Sequence, residues 1–180
     1  MNQFEAMLIW SAAIGYTLAT VLVLRQLVFG HEKGRKIVFY TFLTAVGAHL
    51  LSLVIRSLLA GHLPVMGIYE NAAAAGLFVT LPAAVVVVRK GRLKTFAFLA
   101  APITLFLLGY GLMHYDRGGA LTPPYRSTWL YIHVLFANLS YGSYALVCGA
   151  GITYLLKDRP EGGTRGGCWP GYLSLRHWKT

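Results

Sequence analysis

Charged residues are scarce in this chain, and acidic ones most of all. Only 6 of the 180 residues are Asp or Glu, against 16 Lys and Arg, so that 12% of the chain is charged. Soluble domains carry about 25% charged residues. Hydrophobic residues make up 56%, and the mean hydropathy is +0.56. This composition excludes an ordinary soluble domain and indicates a protein that lies in a bilayer.

Cysteine is scarce as well. The two cysteines, Cys148 and Cys168, form neither a C-x-x-C nor a C-x-x-C-H motif. A thiol–disulfide oxidoreductase and a covalent c-type haem carrier are therefore excluded. The first residues, MNQFEAM, also lack the basic stretch of a signal peptide. The first apolar run is therefore predicted to be a retained helix.

Long apolar runs are what the chain does have. A helix needs about 20 residues to cross the hydrocarbon core of a bilayer. Five runs approach or exceed this length: Met7–Phe29, Ile37–Leu58, Asn71–Val88, Thr95–Met113 and Trp129–Leu156. Pro82 lies in the third and shortest run and is predicted to kink it. The predicted fold class is all-α, a polytopic membrane helix bundle with about five transmembrane helices in the lipid bilayer.

The basic residues indicate how these helices are oriented. They fall in short clusters between the apolar runs, so the net charge of +10 is a topology signal and predicts no nucleic-acid partner. Thirteen of the sixteen lie on one side of a five-crossing arrangement, and the other side keeps Arg56, Arg117 and Arg126. The positive-inside rule then predicts an outer N-terminus and a cytoplasmic C-terminus. The loops Gly61–Asn71 and Tyr115–Thr128 would face outward.

The chain divides into two predicted regions. Residues 1–158 form the transmembrane domain, and residues 159–180 form a Gly-rich cytoplasmic tail that is expected to be disordered. Glycine, proline and charge interrupt the tail, so it is not predicted to be a sixth span. Its composition is also compatible with a truncated or frame-shifted gene.

One histidine, His133, stands out about one helical turn into the fifth run. An imidazole at that depth is a good iron ligand. Trp129 lies four residues earlier and therefore on the same helical face. The face continues with residues that suit an inward surface better than a lipid-facing one: Ala137, Ser140 and Tyr144. The alternative is an interfacial histidine that hydrogen-bonds to a neighbouring loop.

Two motifs resemble those of a known family. The first is IRSLLAGHLPVMGIYEN, Ile55–Asn71, with an Arg, then Gly-His-x-Pro, then Tyr-Glu. The second is LTPPYRSTWLYIHVLFANLSYGSYALVCG, Leu121–Gly149, with Ser-x-Trp-Leu-x-x-His-Val and a later Ser-Tyr run. In this order they resemble the CcsA/ResC branch of the cytochrome c assembly family, whose members handle haem in the synthase-type (System II) pathway. Gly67 departs from the pattern, because relatives usually carry Asn there.

The resemblance implies a role for several residues. His133 would correspond to the first of two external histidines that ligate haem, as the metal ligand. His62, Tyr69 and Glu70 would shape the external loop beside it. The family's Trp-rich segment, membrane-embedded histidine and second external histidine come later and are not matched here, so a second polypeptide would complete the site, or the chain is an inactive fragment.

The resemblance also implies a cargo, partners and a location. Haem b would be presented at the outer, periplasmic face of the cell inner (plasma) membrane, for attachment to an apocytochrome c. The implied partners are a CcsB/ResB-type membrane protein, the apocytochrome and a thioredoxin-like thiol reductant. With its missing parts, the assembly would be a cytochrome c haem lyase.

For most of the candidate residues the sequence leaves two roles open. Arg56 would bind a haem propionate or extend to lipid phosphate. His49 would be an axial ligand to a haem in the membrane or an interhelical hydrogen-bonding residue. His62 would organise the turn before Pro64 or contact a propionate. Tyr69 would anchor the membrane interface or touch the haem edge.

Glu70 lies just before the third run, where the helix dipole favours a carboxylate, so a structural role is predicted for it. Other functions are also open for the whole chain. A b-type haem membrane anchor in quinone-linked electron transfer would need paired histidines, for which His49 and His133 are the candidates. A small-solute transporter would need a polar midplane cavity. A non-functional truncated fragment is the remaining alternative.

Overall fold

The predicted helices are present and form a bundle. A computed structural model describes residues 2–29, 34–64, 67–89, 99–115 and 127–157, and within these ranges all regular structure is helical. The helices are α1 (Gln3–Phe29), α2 (Arg35–Ala60), α3 (Ile68–Arg89), α4 (Ala100–Met113) and α5 (Thr128–Lys157). The all-α prediction is therefore confirmed, whereas the predicted tail at 159–180 lies outside the described residues.

Four of these helices, α1, α2, α3 and α5, are long and apolar enough to cross a membrane. The remaining helix, α4, has 14 residues and is about 21 Å long. This is less than the roughly 30 Å thickness of a bilayer core. The predicted fourth run began at Thr95, and residues 90–98 lie outside the described ranges. The protein is thus a multi-pass membrane protein, and the orientation of its termini stays a prediction.

The end of α2 sets the geometry of the first motif. Gly61 adopts a left-handed conformation (φ 70°), and its backbone N–H donates to the Ser57 carbonyl at 3.0 Å. Glycine is favoured in this position because a Cβ would be strained there. The chain therefore leaves α2 at Gly61, and His62 and Pro64 follow in the connection to α3. Pro82 lies inside α3, which continues across it to Arg89.

Helices α1 to α4 enclose the core. α1 packs along α2, and α3 packs along α4, with further contacts between the two pairs. Each of these four helices contributes fully buried side chains, among them Tyr16, Phe42, Val79 and Leu108. Small residues allow the helices to approach closely, since a Cβ added to Gly15 would lie 2.8 Å from the Cβ of Ala45. This packing fixes the ends of the four helices relative to one another.

Helix α5 lies outside this core and packs mainly against α3. Its contact face is built on Asn138, Gly142 and Gly149, which are buried. A Cβ added to Gly142 would collide with the backbone carbonyl of Phe78. The expectation that the face with Ser140 and Tyr144 turns inward is wrong, because both are exposed. The glycine face approaches α3 more closely than the face with the larger residues can.

Candidate functional site

One end of the bundle collects most of the candidate residues. α1 and α3 begin there, and α2 and α4 end there, so the first residues of two helices meet the last residues of two others. The start of α5 belongs to the same end, because Asn138 lies within 3.5 Å of Asn71, near the beginning of α3. This is the end that the charge pattern predicts to face outward.

Arg56 is at the centre of a buried polar cluster at this end. Its Nε donates to Glu70 Oε1 at 2.9 Å, and its Nη1 donates to the Tyr115 hydroxyl at 3.3 Å. The same Nη1 lies 3.7 Å from Glu5 Oε1. Glu5 and Glu70 are only 1% and 3% exposed. One guanidinium therefore joins the ends of α2 and α4 to the starts of α1 and α3.

Tyr69 belongs to the same cluster, through both its hydroxyl and its ring. The hydroxyl donates to Glu5 Oε1 at 3.3 Å. The ring packs edge-on against Tyr115, with centroids 5.1 Å apart, and the Arg56 guanidinium carbon lies 5.8 Å from each ring centroid. Cation–π contact adds to the ion pairs at such distances. We call Glu5, Arg56, Tyr69, Glu70 and Tyr115 the Arg56 cluster.

Two members of this cluster were not predicted from the sequence. Glu5 and Tyr115 lie outside both motifs, 51 residues before and 59 residues after Arg56. A signal for Glu5 was available, because it is the only acidic residue in α1 and lies in its first turn. Such an acid is expected to have a buried cationic partner. Nothing in the sequence distinguishes Tyr115 from the other tyrosines.

The cluster changes what Arg56 and Glu70 can do. Glu70 lies in the first turn of α3 and pairs with Arg56, an arrangement that favours the structural role predicted for it. A haem propionate at Arg56 would add negative charge next to two carboxylates that are already buried there. Electrostatic repulsion disfavours this arrangement. Propionate binding by Arg56 therefore stays a prediction, and the buried carboxylates of Glu5 and Glu70 disfavour it.

His62 lies away from this cluster, in the connection after α2. Its Nδ1 donates to the carbonyl of Leu63 at 2.9 Å. The hydrogen bond holds the imidazole against the backbone of the turn that leads to Pro64. Of the two predicted roles, this geometry favours the one in which His62 organises the turn.

His133 and Trp129 lie together in a separate feature at the same end. They line an open depression of about 420 Å³ with Ser127 and Leu130. His133 is exposed, and Trp129 is 75% exposed. An imidazole and an indole thus stand side by side with their polar and aromatic atoms accessible. The predicted outer loop that would continue this surface, residues 116–126, lies outside the described residues.

Asn138 follows His133 by five residues on α5, but its side chain is directed toward α3. It is 3% exposed and lies on the α3-facing side of α5. Its Nδ2 donates to the carbonyl of Val134 at 3.0 Å and to Asn71 Oδ1 at 3.5 Å. Asn138 therefore fixes α5 against α3, about one and a half turns below His133.

His49 lies in the bundle core, fully buried. Its Nδ1 is 3.3 Å from the hydroxyl of Tyr16, and that hydroxyl donates to Thr80 Oγ1 at 3.3 Å. The other ring nitrogen, Nε2, is buried and makes no hydrogen bond among the described residues. This is the interhelical hydrogen bonding to Tyr that was one of the two predicted roles.

The surroundings of His49 leave little room for a porphyrin. A Cβ added to Gly76 would lie 3.4 Å from His49 Cε1 and 3.0 Å from Thr104 Cγ2. The backbone of α3 therefore occupies the space next to the ring nitrogen that would bind iron. The packing favours a structural role for His49.

The hydrogen bonds of Tyr16 predict a measurable contribution to stability. We expect Tyr16→Phe to lower the free energy of unfolding by about 0.5–1.5 kcal/mol, because the ring stays and only the hydroxyl is lost. Thermal unfolding in detergent measures this loss. Tyr40→Phe, at an exposed position in α2, serves as the control. An unchanged stability of Tyr16→Phe would show that the three-helix hydrogen-bond chain is not formed.

The described residues contain no group of three or more His, Cys, Asp or Glu side chains that could hold a metal ion. Haem supplies four nitrogen ligands itself and needs only axial ligands from the protein. His133 is exposed in an open depression and fits that requirement for one axial position.

The chain is similar in sequence to several known proteins. It is 27% identical over 138 residues to cytochrome c biogenesis protein CcsA of Lobularia maritima, which covers 75% of this chain and 40% of that relative. It is 29% identical over 133 residues to CcsA of Trachelium caeruleum and 30% identical over 138 residues to CcsA of Ranunculus macranthus, each over 72% of this chain. No family model and no solved structure matches the chain.

These relatives are longer proteins. The chain spans about 40% of the length of the curated relatives that it matches. The matched part covers about three quarters of this chain. The resemblance to CcsA-type cytochrome c assembly proteins, first indicated by the two motifs, is therefore confirmed by similarity in sequence.

Proposed function

We propose that this chain is a haem-handling membrane component of c-type cytochrome biogenesis. In this proposal His133 binds the iron of haem b, which is the cargo, at the outer end of the bundle. The observation that carries the proposal is the exposed pair of His133 and Trp129 in one open depression. The similarity to CcsA proteins supports the same process.

The chemistry of the two side chains suits this role. Neutral imidazole coordinates iron through one ring nitrogen, and indole offers a flat apolar surface to a macrocycle. Trp129 precedes His133 by one helical turn, so both lie on the same face of α5. The iron ligand and the aromatic surface are thus supplied by one rigid element.

The Arg56 cluster would act as the rigid base of this end. It joins the starts of α1 and α3 to the end of α2 through buried ion pairs, and it holds Tyr115, just after α4, through a hydrogen bond. Asn71, which follows Glu70 directly, contacts Asn138 and so connects the cluster to α5. The position of His133 would therefore depend on the cluster although His133 does not belong to it. A rigid support of this kind keeps a binding site in its productive geometry.

The remaining parts of the proposal follow from the resemblance. The functional end would face the periplasmic side of the inner membrane and present haem b to an apocytochrome c of the System II pathway. A CcsB/ResB-type membrane protein would complete the assembly, and a thioredoxin-like protein would keep the apocytochrome thiols reduced. The addition of these thiols to haem would require that complete assembly, as a haem lyase.

The test is the haem content of the purified full chain. We expect His133→Ala to lower Soret absorbance per chain at least fivefold, since the ligand is removed and the depression stays open. His114→Ala is the matched control, because His114 is also exposed at this end but donates its Nδ1 to the carbonyl of Tyr110 at 2.9 Å. Equal haem content in both variants would remove His133 from the site.

The electron-transfer anchor finds less support. It requires two histidines that face one haem within the bundle. His49 contacts Tyr16 in the core, whereas His133 lines the open depression on α5. The two histidines have different neighbours, and α3 lies against the His49 ring.

A further inference from the structure

Helix α5 is both less apolar and less buried than the other long helices, a combination that is unusual in a membrane protein. It is the least apolar of the four long helices, with a mean hydropathy of 1.2 against 1.9–2.0 for α1, α2 and α3. It is also the least buried, with 11% of its span inside the protein against 28–56% for the others. A helix that faces lipid on most sides is expected to be the most apolar. The exposed side of α5 is therefore an unusual surface for contact with lipid.

The polar groups on this side lie at mid-span, where lipid offers no hydrogen bonds. Ser140 and Ser143 donate their hydroxyls to the carbonyls of their own helix, at 3.0 and 2.9 Å. Tyr141 and Tyr144 are 62% and 72% exposed, and among the described residues neither hydroxyl has a partner. An unpaired hydroxyl in hydrocarbon is costly, and tyrosine usually lies at the membrane interface instead.

The face that carries these groups is continuous. His133, Ser140, Tyr144 and Gly151 recur at helical spacing and are all exposed. They lie opposite the buried face with Gly142. A Cβ added to Gly151 would meet no atom within 4 Å, so another helix could approach closely there. We call these four residues, together with the exposed Tyr141, Ser143 and Val147 beside them, the outer face of α5.

We propose that the outer face of α5 binds the same face of a second copy of this chain in the membrane. The face is self-complementary in its hydrogen bonding. Tyr141 and Tyr144 carry hydroxyl protons to donate, while the Ser140 and Ser143 oxygens, whose protons are used within the helix, keep lone pairs to accept. Across a two-fold axis the tyrosines of each copy meet the serines of the other.

The contact has a consequence for the haem site, and this part rests on the proposed function. His133 lies on the outer face, about two turns from Ser140 toward the outer end. In a parallel two-fold pair, both copies present His133 at the same end of the contact. The second copy then supplies a second axial imidazole to the same haem.

Cysteine cross-linking in native membranes tests the pairing itself. In a Cys148→Ser/Cys168→Ser background, we expect Val147→Cys, on the outer face, to form a disulfide-linked species of twice the chain mass. Phe106→Cys is the matched control, because Phe106 is 75% exposed on α4, away from this face. Cross-linking of both positions to the same extent, or of neither, overturns the pairing.

The hydroxyls are tested by substitution in the cross-linking background. Tyr141→Phe/Tyr144→Phe keeps both rings and removes only the proposed donors. Interhelical hydrogen bonds in membranes each contribute about threefold, so the loss of four independent bonds in a symmetric pair should lower association by about eightyfold. Tyr40→Phe/Tyr110→Phe, on α2 and α4, is the control. Unchanged cross-linking of the Tyr141→Phe/Tyr144→Phe protein would contradict the hydrogen-bonded pairing.

Haem stoichiometry tests the shared site separately. We expect one haem per two chains, with the low-spin spectrum of two imidazole ligands. In His133→Ala we expect the haem and its low-spin spectrum to be lost, while cross-linking through Val147→Cys persists. One haem per chain with a single histidine ligand would overturn the shared site and leave the proposed function standing. A cross-linked pair that takes up no haem, with or without His133, would contradict the proposed function and the shared ligand. It would leave the pairing of the two chains standing.

Discussion

Replacing Arg56 by glutamine is expected to destabilise the protein by about 3–5 kcal/mol. The substitution removes the guanidinium but leaves Glu5 and Glu70 buried at 1% and 3% exposure. Two carboxylates would then face each other without a counter-charge, and the Tyr115 hydroxyl would lose its donor. Thermal unfolding of the purified protein in detergent and the amount recovered from membranes both measure the effect.

Three further variants separate the causes. Arg56→Lys keeps the charge but not the fork of donors, so we expect an intermediate loss. Arg56→Gln/Glu5→Gln removes one uncompensated carboxylate and should recover part of the stability. Arg89→Gln is the control, since Arg89 is exposed in the last turn of α3. A stability of Arg56→Gln equal to that of Arg89→Gln would show that the Arg56 cluster does not hold the helix ends together.

The second large effect is expected at Gly142. In Gly142→Ala the new Cβ collides with the Phe78 backbone carbonyl, and its distance to the carbonyl carbon would be 2.9 Å. Backbone atoms in a helix cannot move aside as a flexible side chain can. Overpacking of this kind costs about 1–3 kcal/mol, and we expect α5 to separate from α3.

A chemical cross-link reports this separation directly. Asn71 Oδ1 and Asn138 Nδ2 are 3.5 Å apart across the α3–α5 contact, so we expect a short bifunctional thiol reagent to cross-link Asn71→Cys/Asn138→Cys. Adding Gly142→Ala should reduce the cross-linked fraction severalfold. Gly47→Ala is the control, because a Cβ on that α2 glycine meets nothing within 4 Å. Full cross-linking in the presence of Gly142→Ala would contradict the close approach at Phe78.

The spans themselves were predictable because the bilayer imposes one length on every crossing helix. The first predicted run ends at Phe29 and the fourth at Met113, the same residues at which α1 and α4 end. The fifth run, Trp129–Leu156, differs from α5 by one residue at each end. Apolar runs bounded by glycine and charge fix these ends without any tertiary contact.

The site was predictable only in part. The motif that contains Arg56, Tyr69 and Glu70 predicted that these residues lie at the same end of the bundle, because they lie close together along the chain. Glu5 and Tyr115 complete the Arg56 cluster from distant helices, so neither motif contains them. His49 could be placed in the membrane, but whether it met iron or a hydroxyl depended on how closely Gly76 packs.

The sequence alone determined the class of this protein, the number of apolar runs and which residues share a helical face. The tertiary structure decided which face of α5 turns inward and which charged residues pair. A period of 3.6 residues relates the positions on one helix but does not say what lies beside them. In lipid both sides of a helix can be apolar, so hydrophobicity does not determine which side faces the bundle. Here the close approach at Gly142 and the pairing of buried charges determine it.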